Sequence, residues 1–262
     1  KAVQESEFTL HYQPIIHLAT GGLAGFEALI RWTHPERGPV PATELIAIAE
    51  DTGLILPIGL WVLGEACRQL KTWHRKFPKL ANLMMSVNLS RKQLIDAELV
   101  DQIEETIHEA GIDPRHLVLE ITESTVLDDP EHAVQILQQL KQMGLWLHLD
   151  DFGTGHSSLS CLYQFPLSGL KIDRAFIRHV SERTDHVSVL QAIVTIAKAF
   201  KLQVVAEGIE TAEQADLLRG FECDHAQGYF FDRPRDVAGA EAFIRRLLAG
   251  GLAPAHPMHV AS

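Results

Sequence analysis

Short apolar strands in this sequence end repeatedly in a side chain that can bind a metal ion or exchange a proton. The densest case is Asp150-Asp151, which follows the apolar run Leu145–Leu149. Four further strand ends carry Glu27, Asn88, Glu120 and Glu207. Buried carboxylates repel one another and are costly to desolvate unless cations neutralise them. If these strand ends converge, the sequence predicts an oxygen-rich pocket for hard divalent metal ions.

Convergence depends on how the strands are arranged, and strand-like and helix-like periods alternate along almost the whole chain. Eight strands are predicted, at residues 8–16, 24–31, 83–88, 117–121, 145–150, 169–172, 203–206 and 223–227. Short, fully apolar strands are typical of a parallel sheet covered on both faces. Eight such units favour an α/β fold of the (β/α)8 barrel type, whose active site lies at the strand C-termini. The alternative, an open doubly wound sheet, would usually bring a glycine-rich phosphate turn after its first strand, and none is present.

Helices are predicted between most of the strands, and no internal boundary divides them. Their expected positions are 42–52, 57–76, 91–110, 130–143, 185–200, 211–219 and 237–248, with a short helix after the glycine-rich loop that follows Asp151. We therefore predict one domain over residues 1–248. Residues 249–262 are rich in Gly, Ala and Pro and are expected to form a flexible tail.

Composition excludes several classes of protein. The chain has 262 residues, 46% of them hydrophobic, and a formal net charge of −11, which argues against binding to duplex nucleic acid. Cys67, Cys161 and Cys223 show no CxxC spacing, as in a reducing compartment. The longest apolar run, Leu54–Leu63, contains proline and glycine and is too short to span a membrane.

Plainer explanations exist for single residues. An Asp or Glu after a strand often caps the next helix, and Asp173 with Arg174 is expected to form a cap and a salt bridge. His148 and His225 are expected to pack within or near their strands, and neither belongs to a His-x-x-x-His pair. These explanations do not cover the whole set. Several acidic strand ends together with an amide can supply the oxygen ligands of a two-metal site that activates water.

An ordered set of motifs then identifies a resemblance to the EAL-domain cyclic di-GMP phosphodiesterases. The motif that names the family corresponds to Phe26-Glu27-Ala28-Leu29-Ile30-Arg31-Trp32. Further matches follow in family order at 11–15, 34–36, 49–53, 86–90, 119–124, 150–155, 170–174, 206–210 and 227–230. A three-letter motif alone would carry little weight, whereas this ordered set covers nearly the whole chain.

The resemblance implies a modified (β/α)8 barrel that hydrolyses cyclic di-GMP to linear pGpG with two Mg²⁺ or Mn²⁺ ions per active site. By position in the motifs, the implied metal ligands are Glu27, Asn88, Glu120, Asp150, Asp151 and Glu207. The implied catalytic residues are Glu27, Lys171, Asp150 and Glu207, with Lys171 contacting the attacking water. The implied substrate-binding residues are Arg31, Leu29, Gln13 and Gln227. Glu123 is implied to anchor the loop Asp151–Leu159.

Two alternatives stay open beside the enzyme. A catalytically silent cyclic di-GMP receptor on the same fold usually lacks several metal ligands, and this chain has them all. An interaction module that has lost nucleotide binding would not need Arg31 or the acidic metal ligands, and this chain has both. The chain departs from the family at His156 and Ser168, neither of which is a ligand.

The resemblance also implies partners. A homodimer is expected, because the loop after Asp151 leads into the family's dimer helix. The chain begins at Lys1 without Met, so we expect it to be a domain of a longer protein. The resemblance implies an upstream sensory or diguanylate cyclase domain, and we expect the domain to be cytoplasmic. Membrane anchoring of that parent protein is left open.

Overall fold

A computed structural model describes residues 7–123, 130–153, 160–178, 180 and 184–250. Nine strands are formed in these ranges. They are β1 (Phe8–His17), β2 (Leu23–His34), β3 (Gly38–Val40), β4 (Met84–Asn88), β5 (Leu117–Thr122), β6 (Trp146–Phe152), β7 (Gly169–Ile172), β8 (Gln203–Ala206) and β9 (His225–Gln227).

Eight of these strands close into a barrel, which confirms the predicted fold class. The strand order is β1-β9-β8-β7-β6-β5-β4-β2, pairing of β1 with β2 closes the ring, and β3 is added at the outer end of β2. Strand β1 runs antiparallel to both of its neighbours, whereas β2 and β4 to β9 pair in parallel. The reason is local: a turn of a few residues joins β1 to β2, with the His17 amide donating to the Gly22 carbonyl at 2.8 Å. A turn that short can join only antiparallel strands.

Helices cover the outside of the barrel. They are α1 (Ala42–Thr52), α2 (Ile55–Lys76), α3 (Arg91–Leu94), α4 (Leu99–Ala110), α5 (Pro130–Gln142), α6 (Ser160–Gln164), α7 (Arg174–Arg178), α8 (Thr184–Ala199), α9 (Ala212–Gly220) and α10 (Val237–Leu248). The longest helix, α2, buries Trp73 completely against Tyr12 and Phe26, with ring centroids 4.9 Å and 4.8 Å away. None of the helices in the described ranges combines the length and apolar composition of a membrane span.

Two sequence predictions about elements were wrong. Residues 91–110 form two helices rather than one, because the Ser90–Gln93 capping box starts α3 and the Asp96 carboxylate then accepts the Glu98 amide in a turn before α4. Strand β3 was missed, because its three residues include Gly38 and Pro39 and show no period. Helix α10 ends at Leu248; residues 251–262 of the predicted tail lie outside the described residues, so its flexibility and the 1–248 boundary stay predictions.

The segment after β9 is packed so closely that a methyl group cannot enter. A Cβ added at Gly228 would lie 2.2 Å from the backbone nitrogen and oxygen of Ile209. We expect Gly228→Ala to lower the free energy of unfolding by about 3 kcal/mol, as overpacking against backbone does. Gly220→Ala is the matched control, since no atom lies within 4 Å of its added Cβ. Denaturant titration measures both; equal stabilities of the two variants would contradict the expectation.

Candidate active site

The predicted site residues converge at one end of the barrel. Parallel neighbours bring their C-terminal ends to the same edge, and the register pairs Asn88 with Glu120 and Thr122 with Asp150. Glu27 lies within β2 opposite Gln13 on the antiparallel β1. The remaining members lie at the ends of β7, β8 and β9: Lys171, Glu207 and Gln227.

The ammonium group of Lys171 lies at the centre of this cluster. Its Nζ is 2.6 Å from Glu120 Oε2, 2.6 Å from Glu207 Oε1, 3.3 Å from Asp150 Oδ2 and 3.8 Å from Glu27 Oε2. The side chain is only 1% exposed. Burial opposes the charged form, but the surrounding carboxylates raise the pKa of Lys171 well above its usual value. The lysine is therefore a fixed positive charge rather than a proton donor at neutral pH.

A single lysine does not neutralise the carboxylates around it. Burial, with Asp150 and Glu27 adding repulsion, raises the pKa of Glu207 to about 8 even though Lys171 opposes this. Burial and the same neighbours raise the pKa of Glu120 well above its usual value. The pKa of Asp151 is raised by burial and by the adjacent Asp150. The site thus holds more carboxylates than it can keep ionised without further cations.

A frame of side-chain amides holds Glu27 in place. Gln227 Nε2 donates to Glu27 Oε2 at 2.7 Å and to Gln13 Oε1 at 2.9 Å, and Asn88 Nδ2 donates to Glu27 Oε1 at 2.8 Å. Burial works against ionisation, but Lys171 and these two donors lower the pKa of Glu27. Glu27 is therefore kept ionised and oriented.

The donor set fits a hard divalent cation. Among the described residues, Glu120 Oε1 is a buried carboxylate oxygen without a hydrogen-bond partner, and a buried oxygen of this kind needs one. In the described ranges, no group of three acidic, histidine or cysteine side chains is already arranged as metal ligands. Four of the carboxylates contact the Lys171 ammonium instead. Carboxylate and amide oxygens are nevertheless the ligands that Mg²⁺ and Mn²⁺ select, and the excess negative charge of the carboxylates favours a divalent cation.

Strand β6 is distorted where it carries the two adjacent aspartates. In a regular strand neighbouring side chains point to opposite faces. The register between β6 and β7 shifts between Leu149 and Phe152, and Asp151 has a φ of 56°. The Asp151 amide donates to Asp150 Oδ1 at 2.8 Å. A left-handed backbone at a non-glycine residue costs free energy and is concentrated at functional sites.

Beside the carboxylates lies a cavity of about 440 Å³. It is lined by Leu29 and Arg31 from β2, by Asn88, and by apolar side chains of α1 and α2 such as Ile46 and Ile58. The Arg31 guanidinium is half-buried, and this burial lowers its pKa despite the opposing influence of Glu27 and Tyr229. The α1 and α2 lining was missed in the sequence, because only the ordinary apolar stripe of a packed helix marks it.

Other sequence predictions have mixed outcomes. Glu123 is buried at the end of β5, but residues 154–159, including His156, lie outside the described residues, so its loop-anchoring role stays a prediction. Asp173 caps α7 by accepting the Ala175 amide at 2.8 Å. His148 and His225 are buried as expected, and burial lowers the pKa of His148 to about 3 and that of His225 to about 4. Ser168 precedes β7, at the opposite end of the barrel from the site.

Known proteins are similar to this chain in sequence and fold. The EAL domain model matches residues 1–234. The bifunctional diguanylate cyclase/cyclic di-GMP phosphodiesterase MucR of Pseudomonas aeruginosa is 41% identical over 238 residues, which are 89% of this chain and 34% of MucR. The cyclic di-GMP phosphodiesterase PdeR of Escherichia coli is 37% identical over 248 residues, 95% of this chain and 37% of PdeR. The chain thus spans roughly a third of the length of these relatives.

Solved structures agree. The PaMucR phosphodiesterase in complex with c-di-GMP superposes with a TM-score of 0.86 at 40% identity, covering 91% of this chain and 96% of that one. The EAL enzyme Bd1971, in its form bound to cAMP and cyclic di-GMP, superposes with a TM-score of 0.88 at 34% identity, covering 93% and 66%. The family model, the relatives and the solved structures agree with the cluster of carboxylates around Lys171. The chain belongs to the EAL domain family.

Proposed function

We propose that this chain is a metal-dependent phosphodiesterase that hydrolyses cyclic di-GMP to linear pGpG. The observation that carries the proposal is the ring of buried carboxylates around Lys171, placed beside a cavity that Arg31 lines. Support comes also from MucR, PdeR and NbdA, which are named for cyclic di-GMP phosphodiesterase activity.

The ligands of the ions would be Glu27, Asn88, Glu120, Asp150, Asp151 and Glu207. When bound, two Mg²⁺ or Mn²⁺ ions would lower the pKa of a water molecule and stabilise the negative charge that develops on the phosphoryl oxygens. The water oxygen forms a bond to phosphorus, the bond to the ribose 3′-oxygen breaks, the water loses a proton and the 3′-oxygen gains one. The product is a linear dinucleotide that carries a 5′-phosphate.

The protein's own groups orient this reaction. Lys171 stays charged and fully buried, so its ammonium can hold the attacking water without supplying a proton. The planar fork of Arg31 suits a phosphate oxygen pair. Leu29 and the apolar walls of the cavity offer a base-sized space next to that guanidinium. Gln13 and Gln227 act through Glu27, whose position they fix.

A silent receptor is the second candidate. It is favoured by one observation: the Lys171 ammonium lies within 4 Å of four carboxylates, so the protein itself balances part of their negative charge. A receptor would use Arg31 and the cavity and leave the carboxylates paired with the lysine.

One assay separates these functions. The purified chain is incubated with cyclic di-GMP and Mn²⁺, with and without chelator, and products are resolved by chromatography. Chelator-sensitive pGpG is expected. Binding of cyclic di-GMP without turnover by the folded protein would favour the receptor, and no binding would favour an interaction module.

The raised pKa of Glu207 predicts a pH-dependent response to Mn²⁺. Without metal, Glu207 holds its proton with a pKa of about 8 when folded, against an ordinary 4.5. The proton on Glu207 therefore stabilises the folded state. This contribution to the free energy of unfolding is fully present below pH 4.5 and is lost as the pH rises through about 8. A bound cation needs the ionised carboxylate. The rise in unfolding temperature on adding Mn²⁺ should therefore grow between about pH 6 and pH 9.

Glu207→Gln provides the control for that titration, because the amide cannot ionise. Its response to Mn²⁺ should be smaller and nearly independent of pH. Thermal unfolding of the wild type and the variant, each with and without Mn²⁺, measures the effect; a wild-type response that is flat across this range would contradict it.

We also propose a homodimer and an upstream sensory or diguanylate cyclase domain in a cytoplasmic parent protein. The homodimer is what the family resemblance implies. Support for the upstream domain comes from relatives about three times as long as the matched segment, among them a bifunctional diguanylate cyclase and the oxygen sensor DosP. The three cysteines are unpaired and buried, as in a reducing environment. Light scattering of the purified chain at several concentrations tests the dimer.

A further inference from the structure

A histidine lies inside the barrel, beneath the proposed metal ligands. His148 precedes Asp150 by two residues on β6, so both side chains point to the same inner face of the sheet. The register pairs His148 with Glu120 on β5 and with Gly169 on β7, and the residue is only 5% exposed. The interior of a (β/α)8 barrel is usually filled by branched apolar side chains. An imidazole at this depth therefore needs hydrogen-bond partners.

Gly169 makes room for this ring. A Cβ added at Gly169 would lie 2.6 Å from both Cδ2 and Nε2 of His148, and 3.0 Å from the Gln203 carbonyl oxygen. Any larger residue at this position would displace the ring, because a packed interior has no free space to receive it. The imidazole therefore packs directly on the backbone of β7, and this contact restricts its orientation.

Buried polar atoms without a hydrogen-bond partner lie in the same part of the barrel. Among the described residues, neither Nδ1 nor Nε2 of His148 has a partner, and the same holds for Glu120 Oε1 and Gln227 Oε1. Glu120 is the register neighbour of His148, and Gln227 joins the cluster through its 2.7 Å hydrogen bond to Glu27. Buried groups of this kind are normally satisfied by protein or by ordered water. One internal water typically binds about three of them.

The chemistry of these atoms matches one water molecule. An imidazole carries at least one N–H donor, whereas a Glu120 carboxylate and the Gln227 side-chain carbonyl only accept. A water that accepts a hydrogen bond from His148 can donate its own hydrogens to these two oxygens. We propose that His148 is a positioning residue for Glu120, which it orients through this internal water. The inference rests on the proposed function, because Glu120 is a metal ligand only there.

An oriented Glu120 carboxylate should bind a cation more tightly. Its Oε1 has two lone pairs, so one can accept a hydrogen from the water while the other faces an ion. Hydrogen-bonded partners behind metal ligands typically raise the metal affinity about 10- to 100-fold. The alternative is that His148 only fills the core. Replacing such a residue by an apolar side chain of similar size would remove unpartnered polar atoms and raise stability, with no effect on metal binding.

Calorimetric titration of the metal-free full chain with Mn²⁺ tests the inference. His148→Leu and His148→Met keep apolar bulk without a nitrogen, and we expect the Kd for Mn²⁺ to rise about 10- to 100-fold in both. His148→Asn and His148→Gln retain an N–H near the positions of Nδ1 and Nε2, and one of them should restore most of the affinity.

His116→Leu is the matched control for the apolar variants. Within the described residues, His116 Nδ1 is also buried without a hydrogen-bond partner. However, His116 lies in the turn before β5 and packs on His74 of α2, with ring centroids 4.8 Å apart, so it is outside the barrel interior. The Kd for Mn²⁺ should therefore stay at the wild-type value. Thermal unfolding of each variant confirms that it is folded.

The outcomes separate this inference from the proposed function. If the wild-type chain neither binds Mn²⁺ nor hydrolyses cyclic di-GMP, the proposed function fails and the inference falls with it. If the wild type is active and the two apolar variants at His148 bind Mn²⁺ as tightly as wild type, only the positioning role is overturned. An equal loss of affinity in His148→Asn and His148→Gln, or in His116→Leu, would also overturn it, because the effect would then not depend on an N–H at His148.

Discussion

Replacing Lys171 by methionine should abolish most turnover and destabilise the metal-free protein. The ammonium group lies within 4 Å of four carboxylates and is 1% exposed. Methionine keeps the apolar stem and removes the charge. We expect the free energy of unfolding to fall by about 3–5 kcal/mol, the usual cost of leaving buried charges without their partner. Turnover should fall about 10²- to 10³-fold, because a positioned charge is lost from the reacting centre.

The stability loss should depend on pH and on cations. At low pH the carboxylates take up protons and repel less, so the difference between variant and wild type should shrink as the pH falls. Divalent cations can replace part of the missing charge and should stabilise the variant more than the wild type. Denaturant titrations with and without Mn²⁺ measure this.

Lys198→Met is the matched control for Lys171→Met. Lys198 also lies 2.6 Å from a glutamate, Glu222, but this pair is on the surface, with side chains 36% and 84% exposed. Surface ion pairs contribute little, so stability and turnover should stay close to wild type. If Lys171→Met turned over cyclic di-GMP at the wild-type rate, the role given to the lysine would be wrong.

Asp150→Asn is expected to lose nearly all turnover while remaining folded. Asparagine has the same shape but one charge fewer, so it would be a weaker ligand for a divalent cation than the carboxylate. We expect a loss of about 10³-fold in kcat, equivalent to about 4 kcal/mol. The metal-free variant should be as stable as wild type or more so, because Asp150 repels Glu207, Glu120 and Asp151.

Asp224→Asn tests whether position in the barrel decides the effect. Asp224 directly precedes β9, at the opposite end from the site, and its Oδ2 accepts the Val204 amide at 2.9 Å. Asparagine keeps an acceptor oxygen for the Val204 amide, so the replacement should lower stability by less than about 1 kcal/mol and change kcat by less than about twofold. Calorimetric Mn²⁺ titration should show weaker binding for Asp150→Asn alone. Wild-type kcat in folded Asp150→Asn would rule out the proposed mechanism.

The barrel could be predicted from the sequence because its strands are short, apolar and separated by amphipathic helices. This pattern depends on neighbouring residues only, and burial on both faces requires it. The same pattern placed Asp150 and Glu120 at strand ends. It did not reveal the antiparallel β1, the division of 91–110 into two helices, or β3, since short turns and caps decide these features.

The sequence by itself determined the fold class and the types of side chain at the strand ends: an α/β barrel with carboxylates, an amide and a lysine. The tertiary structure alone decided which of them touch. Closure of the sheet put Lys171 among Glu120, Glu207, Asp150 and Glu27, and the distortion at Asp151 broke the alternation of β6. The ring of His148 meets the backbone of Gly169 in the same way, through the pairing of β6 with β7. Such contacts join segments far apart in the chain, and local patterns in a single sequence carry no information about those distances.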